Sequence, residues 1–332
     1  MSVEVAAPSC NNDENGESHN KQQYVIPSFL DVLLQSEFRI LHQPPPLQAN
    51  ETQDDRDFVD HLLDTCWDAT VSRSLLNSHE EDEGKEFTYG EITPTGVRQL
   101  LEDLELLTIF EDDSNSTDKE EVVFYDLGSG EGKLVAQVFL ETLSTCHDND
   151  KTKPKDRAIL KRIVGIELSP ARHAMAVHSW NALQQALLPS QAEKKNSHHQ
   201  DYPSEADSDP EGIPASPAVL VDLQEAKASL RAKFATANRN TVELVHGDLS
   251  QLDFSDATHI YASSIFFPPP VLEAMSQTIM DYSTAHGKLK MVAALSDLEL
   301  LETEDSGWEK RVQRLQMSWG GANVRLYSPK DY

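Results

Sequence analysis

The chain has 332 residues and a large excess of acidic side chains, with 56 Asp and Glu against 28 Lys and Arg and a formal net charge of −28 at pH 7. A protein that binds nucleic acid tightly needs a basic face that displaces counterions, and this sequence shows none. It also lacks the roughly 20 consecutive apolar residues of a membrane helix and the features of a secretion signal. The composition therefore disfavours tight nucleic-acid binding, membrane insertion and secretion.

The three cysteines, Cys10, Cys66 and Cys146, are widely separated and have neither disulfide spacing nor metal-ligand spacing. This pattern predicts a reducing compartment, the cytoplasm or the nucleus, and no metal site. Residues 1–22 are polar, Asn-rich and acidic, so we expect a disordered acidic tail. The acidic runs farther along the chain are typical of solvated loops, and an alternative role for them is attraction of a basic protein substrate.

A helical N-terminal segment is predicted over residues 23–120. Apolar residues recur with helical spacing over residues 24–41 and 55–76, and a third helix is predicted from Thr95 to about Leu107. The loop over residues 87–94 precedes that third helix. The apolar stripes are typical of helices that face a core.

Residues 122–132, VVFYDLGSGEG, predict a buried strand that ends in an acid and turns through closely spaced glycines into a helix. A dinucleotide loop is usually Gly-x-Gly-x-x-Gly with its acid about 20 residues later. This loop is Gly-x-Gly-x-Gly, and Asp126 stands two positions before its first glycine. A carboxylate there can accept from an amine, which suits the amino-acid end of S-adenosylmethionine better than a pyrophosphate. The alternative is a tight turn that binds no ligand.

Two later strands are also predicted to end in an acid. Residues 162–167 end at Glu167, which is placed to hold two ribose hydroxyls. Residues 241–249 contain a third strand, after which Asp248 can accept from the adenine amino group while Leu249 packs on the ring. The carboxyl ends of parallel strands meet at one edge of a sheet, so the three acids predict one S-adenosylmethionine site. Its predicted residues are Asp126, Gly128, Ser129, Gly130, Gly132, Glu167, Asp248 and Leu249.

The rest of the chain completes the predicted domain, which spans residues 121–332. It is interrupted by two insertions, 144–156 and 189–217, that are too polar to pack and are expected to be flexible. The remaining elements are a helix over 221–235, a strand over 259–264, a helix over 271–282, a strand over 288–295 and a hairpin over 312–327 that turns at Gly320-Gly321. Alternating strands and helices closed by a hairpin predict an α/β fold, the Rossmann-like, seven-stranded, mostly parallel sheet of class I methyltransferases with helices on both faces.

Several short motifs occur in a characteristic order along the chain. They are Tyr89-Gly90-Glu91 before a helix, the loop from Asp126 to Gly132, Gly165-Ile166-Glu167, Gly247-Asp248-Leu249, the aromatic loop Ile265-Phe266-Phe267-Pro268, and Ser318-Trp319 before a strand that contains Tyr327. In this combination, from about Phe87 to Tyr327 without the two insertions, the chain resembles the disruptor-of-telomeric-silencing family. These are histone lysine methyltransferases without a SET domain.

The resemblance implies a nuclear enzyme that methylates a lysine of a histone or nucleosome. It implies that Tyr89 and Glu91 contact the cofactor, in addition to the residues named above. It also implies that the target lysine enters near Ser263, Ser264, Phe266, Phe267 and Trp319. The chain departs from the family where Ser263-Ser264 replaces a polar Asn-Asn pair, and the family's basic flank has no counterpart here.

The expected reaction is in-line displacement of a sulfonium methyl by a neutral lysine amine, in a channel walled by Phe266, Phe267, Trp319 and Tyr327. Two alternatives stay open. One is a methyltransferase of a non-histone protein, an RNA or a small molecule. The other is a methyltransferase-like module that binds a partner and catalyses weakly or not at all, which the serine pair keeps open.

Overall fold

The computed structural model describes residues 47, 53–67, 91–106, 121–145, 159–188, 217–237 and 241–330. The predicted acidic tail, the helix predicted over 24–41 and the end of the one predicted over 55–76 lie outside the described residues. So do Tyr89, residues 146–156 of the first predicted insertion, and residues 189–216 of the second.

Seven strands form a single sheet. They are β1 (Glu121–Leu127), β2 (Ile159–Glu167), β3 (Val242–His246), β4 (His259–Ala262), β5 (Met291–Ala294), β6 (Trp308–Met317) and β7 (Gly320–Pro329). Their order is β3-β2-β1-β4-β5-β7-β6; the first five are parallel, and β7 is antiparallel to both β5 and β6. This order, with a reversed strand between the fifth and sixth, confirms the predicted class I methyltransferase fold.

Six α-helices accompany the sheet in the described ranges. They are α1 (Gln53–Cys66), α2 (Pro94–Asp103), α3 (Lys133–Thr145), α4 (Pro170–Leu187), α5 (Pro217–Thr236) and α6 (Pro269–His286). The predicted start of α4 is confirmed, since the Ser169 hydroxyl accepts from the Arg172 amide and Pro170 occupies the first turn. Within these ranges, no helix combines the length and the apolar character that crossing a bilayer requires.

The two faces of the sheet carry separate cores. Successive side chains of a strand point to opposite faces, so Phe124 and Tyr125 of β1 enter different cores. Helices α1 to α5 pack on the Phe124 face, and α6 packs on the Tyr125 face. The β-branched and aromatic side chains of β1 are buried on both sides, which fixes this strand at the centre of the sheet.

Two predicted boundaries differ from the structure. Strand β4 ends at Ala262, and residues 264–266 form a 3₁₀ turn, because the chain must leave the sheet before the prolines that begin α6. The hairpin turns at Ser318-Trp319, while Gly320 and Gly321 belong to β7 and pair with Met317 and Gln316. Burial of Leu315 and Met317 sets this register, since a slip of one residue would expose them.

A buried ion-pair cluster attaches α1 and α2 to the sheet domain. Arg98 in α2 is 3% exposed and donates to both carboxylate oxygens of Asp60 in α1, at 2.7 and 3.2 Å. Its Nε lies 2.7 Å from Oε1 of Glu141 in α3. Gln137, one turn before Glu141, donates to that carboxylate and to the carbonyl of Pro94 at the start of α2. Charges that are largely shielded from water therefore join the three helices.

Candidate functional site

Residues 128–132 form the turn between β1 and α3, here called the glycine loop. Gly128, Gly130 and Gly132 have φ angles of 82°, 55° and 75°, a region that side chains rarely allow. The amides of Gly128 and Ser129 both donate to the carbonyl of Ile166 in β2, at 2.9 Å. The loop is therefore anchored to the carboxyl end of the neighbouring strand.

An open cavity lies beside the glycine loop, at the carboxyl ends of β1 and β4. The structure brings five predicted site residues together around it. Four were predicted for the cofactor and one for the substrate: Glu91, Asp126, Gly128, Ser129 and Ser263. Ile92, Lys133, Leu134 and Tyr261 also line the cavity and were not predicted.

Asp126 is the most unusual group in this cavity. It is 2% exposed, and its Oδ1 has no hydrogen-bond partner among the described residues. Burial, and to a lesser extent the nearby Glu167 carboxylate, raise the pKa of Asp126 to about 8. A buried acceptor without a donor is costly. A cationic ligand group in the cavity would supply both the missing donor and the compensating charge.

Glu167 at the end of β2 is 6% exposed and already accepts two backbone hydrogen bonds. The amide of Gly130 donates to its Oε2 and the amide of Ser169 to its Oε1, both at 2.8 Å. Glu167 thereby fixes the glycine loop and the start of α4 together, a role that the sequence did not indicate. Each carboxylate oxygen keeps a second lone pair, so the ribose contact stays a prediction.

Asp248 follows β3 and caps its own loop. Its Oδ1 accepts from the amide and the hydroxyl of Ser250, at 2.9 and 2.7 Å, and its Oδ2 accepts from Gln251 at 3.3 Å. The Ser250 amide, followed by these side chains, lowers the pKa of Asp248 below its ordinary value. Leu249 packs half-buried against the core on the α6 face. The adenine contacts of these two residues stay predictions.

Two residues predicted for the substrate channel are instead structural. Ser264 is fully buried; its hydroxyl accepts from the amide of Ser296 at 2.9 Å, and its carbonyl accepts from the Ser296 hydroxyl at 2.8 Å. Tyr327 is also fully buried; its hydroxyl accepts from the amide of Leu298 and donates to Glu302. The expectation that Ser264 and Tyr327 face a substrate is therefore wrong, because both side chains are buried and both hydroxyls have partners inside the protein.

The other predicted channel residues lie on two exposed loops. Phe266 in the turn after β4 is 58% exposed, and Trp319 at the tip of the β6–β7 hairpin is 48% exposed. The ring of Phe267 lies against the glycine loop, where a Cβ added to Gly128 would come within 2.9 Å of it. Phe266 and Trp319 therefore present apolar surface to the solvent.

Backbone hydrogen bonds join the hairpin tip to the segment that lines the cavity. The amide of Ser318 donates to the carbonyl of Glu91 at 2.8 Å, and the amide of Glu91 donates to the Ser318 hydroxyl at 3.2 Å. Ile92 forms a β-bridge with Met317. Trp319 therefore follows directly after Ser318, the residue whose hydrogen bonds position Glu91 in the cavity.

Two residues that sequence reasoning missed had a readable signal. Lys133 is the first residue of α3, lines the cavity, and has its Nζ 3.5 Å from Oδ1 of Asp64 in α1. A cation directly after a glycine loop was the signal. Leu168 follows Glu167 and is 67% exposed, so an apolar surface lies beside the acid predicted for the ribose. The signal there was an apolar residue directly after a strand-ending acid.

Comparison with protein-family models and with curated proteins finds no match. Several solved structures are distantly similar. An RNA methyltransferase from Salinibacter ruber in complex with S-adenosyl-L-homocysteine is 18% identical, with a TM-score of 0.30 over 71% of this chain and 94% of that one. An rRNA methyltransferase from Streptomyces viridochromogenes is 11% identical, with a TM-score of 0.38 over 74% and 88%.

A magnesium protoporphyrin IX methyltransferase from Synechocystis with bound SAM is also similar. It is 12% identical, with a TM-score of 0.35 over 85% of this chain and 100% of that one. These similarities are too distant to indicate an activity or a substrate. The strand order itself defines the class: this chain has the α/β fold of the class I methyltransferases, with a cavity at the carboxyl end of its central strands.

Proposed function

We propose that this protein is an S-adenosylmethionine-dependent methyltransferase that acts on a lysine amine of a basic protein, with a histone as the leading candidate. The observation that carries the proposal is Asp126, a buried carboxylate with an unpaired oxygen beside a glycine loop. The methionine end of the cofactor carries both an ammonium and a carboxylate. The ammonium fits Asp126, and the carboxylate fits Lys133 at the N-terminus of α3.

Bound S-adenosylmethionine supplies a methyl group on a positively charged sulfur. The protein's residues contribute positioning. Asp126 accepts from the ammonium, Glu167 holds the glycine loop in shape, and Phe267 packs against the loop on the side toward the turn after β4. Alignment of a nucleophile with its reaction partner can contribute about 7 to 11 kcal/mol, so positioning alone supports a large acceleration.

The two exposed aromatic side chains and the net charge support a basic protein substrate. A lysine amine, whose ordinary pKa is about 10.4, attacks only after it loses its proton. Apolar surroundings disfavour the charged form and lower that pKa. In this proposal, Phe266 on the turn after β4 and Trp319 on the hairpin tip provide those surroundings once a bound substrate covers their exposed faces. The net charge of −28 attracts a cationic protein from a distance. The resemblance to histone lysine methyltransferases points to the same substrate class and, with it, to the nucleus.

A methyltransferase-like binding module is the second candidate function. The observation that favours it is Ser264, whose hydroxyl is engaged inside the protein, so that Ser263 is the member of the serine pair that lines the cavity. Such a module would bind the cofactor and a basic partner without transferring the methyl group.

Transfer of labelled methyl from S-adenosylmethionine tests the proposal. The purified protein is incubated with free core histones and with intact nucleosomes, and Asp126→Asn serves as the control. We expect label on a histone lysine with the wild-type protein and none with the variant. Cofactor binding without label on any basic protein would favour the binding module. Failure of the wild-type protein to bind the cofactor would refute the proposal.

Trp319→Ala is expected to weaken binding of the basic substrate and to leave cofactor binding unaffected. Loss of a substrate-facing aromatic side chain costs about 1 to 2 kcal/mol, so we expect KM to rise about 5- to 30-fold. Trp319 does not line the cavity. The affinity for S-adenosylmethionine, measured by calorimetry, should therefore stay within about twofold of wild type, a difference of about 0.4 kcal/mol. Val312→Ala, an exposed change on the same hairpin, is the control. Unchanged KM in Trp319→Ala would remove this residue from the substrate site.

A further inference from the structure

The end of helix α1 contacts the glycine loop and the first residue of α3. Trp67, directly after α1, is 7% exposed, and its indole Nε1 donates to the carbonyl of Glu131 at 2.7 Å. Asp64, in the last turn of α1, has its Oδ1 3.5 Å from Nζ of Lys133. Both contacts fall on residues 131–133, the part of the loop that leads into α3.

The two halves of the glycine loop are held from different directions. Strand β2 holds the first half, through Ile166, which accepts from Gly128 and Ser129, and through Glu167, which accepts from Gly130. The second half is held by the amide of Gly132, which donates to the carbonyl of Ser129 at 2.9 Å, and by the indole of Trp67, which donates to the carbonyl of Glu131. Its backbone turns through Gly132, where an added Cβ would come within 3.0 Å of Ala176 in α4 and 3.3 Å of Leu244 in β3, so contacts from outside the loop set its position. The hydrogen bond from Trp67 is such a contact.

We infer that Trp67 is a positioning residue of the cofactor site: through Glu131 it sets the place of Lys133 and of the first turn of α3. This inference rests on the proposed function. In that function, Lys133 and the α3 N-terminus face the carboxylate of the methionine end, so a shift of the second half of the loop weakens that end specifically. The N-terminal helix α1 thereby becomes part of the cofactor site rather than a separate packing element.

The arrangement couples docking of α1 to cofactor binding. If docking of α1 on the rest of the protein increases the affinity for the cofactor, cofactor binding must stabilise docked α1 by the same free energy. Helix α1 packs on α3, α4 and α5, so it is held firmly enough to transmit this effect. The Arg98 cluster adds a second attachment, through Asp60.

The experiment compares Trp67→Phe with Trp180→Phe. Both tryptophans are almost fully buried, at 7% and 8% exposure, and both variants keep an aromatic ring. Trp180 lies in α4 with its ring edge-on to Phe139, and its indole N–H donates to no group in the described part of the chain. Two ligands are titrated calorimetrically: S-adenosylhomocysteine, and 5′-methylthioadenosine, which lacks the amino-acid end. Thermal unfolding is measured in parallel.

We expect Trp67→Phe to lower the affinity for S-adenosylhomocysteine about tenfold, because one well-formed hydrogen bond to the loop is lost. The affinity for 5′-methylthioadenosine should change by less than about twofold. Trp180→Phe should change neither affinity by more than about twofold, although it lowers the melting temperature to a similar extent. Equal weakening of both ligands by Trp67→Phe, or equal effects of the two variants, would overturn the inference. A wild-type protein that binds neither ligand would overturn the proposed function itself, and the inference with it.

Discussion

Asp126→Asn is expected to make the protein more stable and, at the same time, to weaken cofactor binding strongly. The pKa of Asp126 is about 8 in the folded protein, well above the ~3.9 of an exposed carboxyl. Because the folded pKa is raised, the favourable contribution of this carboxyl to stability is complete below pH ~4 and is lost as the pH rises through about 8. Asparagine has the same shape and no charge to bury, so the variant avoids this loss.

The stability difference between Asp126→Asn and wild type should therefore depend on pH. We expect it to be near zero around pH 4, to grow by about 1.4 kcal/mol per pH unit between about pH 4 and 8, and to level off above about pH 8 at about 5 kcal/mol. Denaturant unfolding at a series of pH values measures it. Glu121→Gln, an exposed change at the other end of the same strand, is the control and should show no such trend. A stability difference that does not change with pH would contradict the raised pKa of Asp126 in the folded protein.

Loss of the Asp126 charge should lower the affinity for S-adenosylmethionine about a hundredfold or more, because a buried ammonium without its carboxylate costs about 3 kcal/mol or more. A bound cation favours the ionised carboxyl, so cofactor binding to wild type at pH 6.5 should release close to one proton. Calorimetry in two buffers of different ionisation enthalpy counts that proton. The Asn variant should release none, and release of a proton by both proteins would assign the titration to another group.

Arg98→Met is expected to cause the largest loss of stability, about 3 to 5 kcal/mol. The change removes the cation from between Asp60 and Glu141, and the Glu141 side chain is only 4% exposed. A charge left in such a place without its partner costs far more than the lost attraction. Chemical denaturation of the wild-type and variant proteins measures the loss directly.

A paired variant separates the buried charge from the lost packing. Arg98→Met combined with Glu141→Gln should recover most of the loss, because neutral groups of similar size then fill the space. Lys161→Met is the control, since Lys161 pairs with Glu121 where both side chains are more than half exposed, and it should cost less than about 1 kcal/mol. If the double variant is as unstable as the single one, packing rather than charge explains the effect.

The local patterns of the sequence were sufficient to predict the sheet and one part of the cavity. Asp126 and Glu167 each follow a short apolar run, and both lie where predicted, at the carboxyl ends of β1 and β2. Such runs are informative because strands buried on both faces have few other possible sequences. Tyr261 was missed because it reaches the cavity through pairing between β1 and β4, and the register of that pairing is not encoded locally.

The errors concern side chains whose partners lie far along the chain. A serine that lines a substrate channel and one that bonds a neighbouring loop have the same local sequence, and only the position of Ser296 distinguishes them for Ser264. The same holds for Tyr327, whose hydroxyl donates to Glu302 in the connection between β5 and β6. Asp248 differs from both, because its partner Ser250 is only two residues away and the local sequence was sufficient to indicate a capped turn.

The double hydrogen bond of Glu167 has a consequence for how such an enzyme would be switched off. Because Glu167 holds the glycine loop in shape before any ligand arrives, little conformational entropy is lost on binding. On the proposed function, the contacts that this rigid loop makes are with the amino-acid end, which S-adenosylmethionine shares with its demethylated product. On the proposed function, the spent cofactor would therefore compete strongly with the fresh one, and the ratio of the two in the cell would set the rate of methylation.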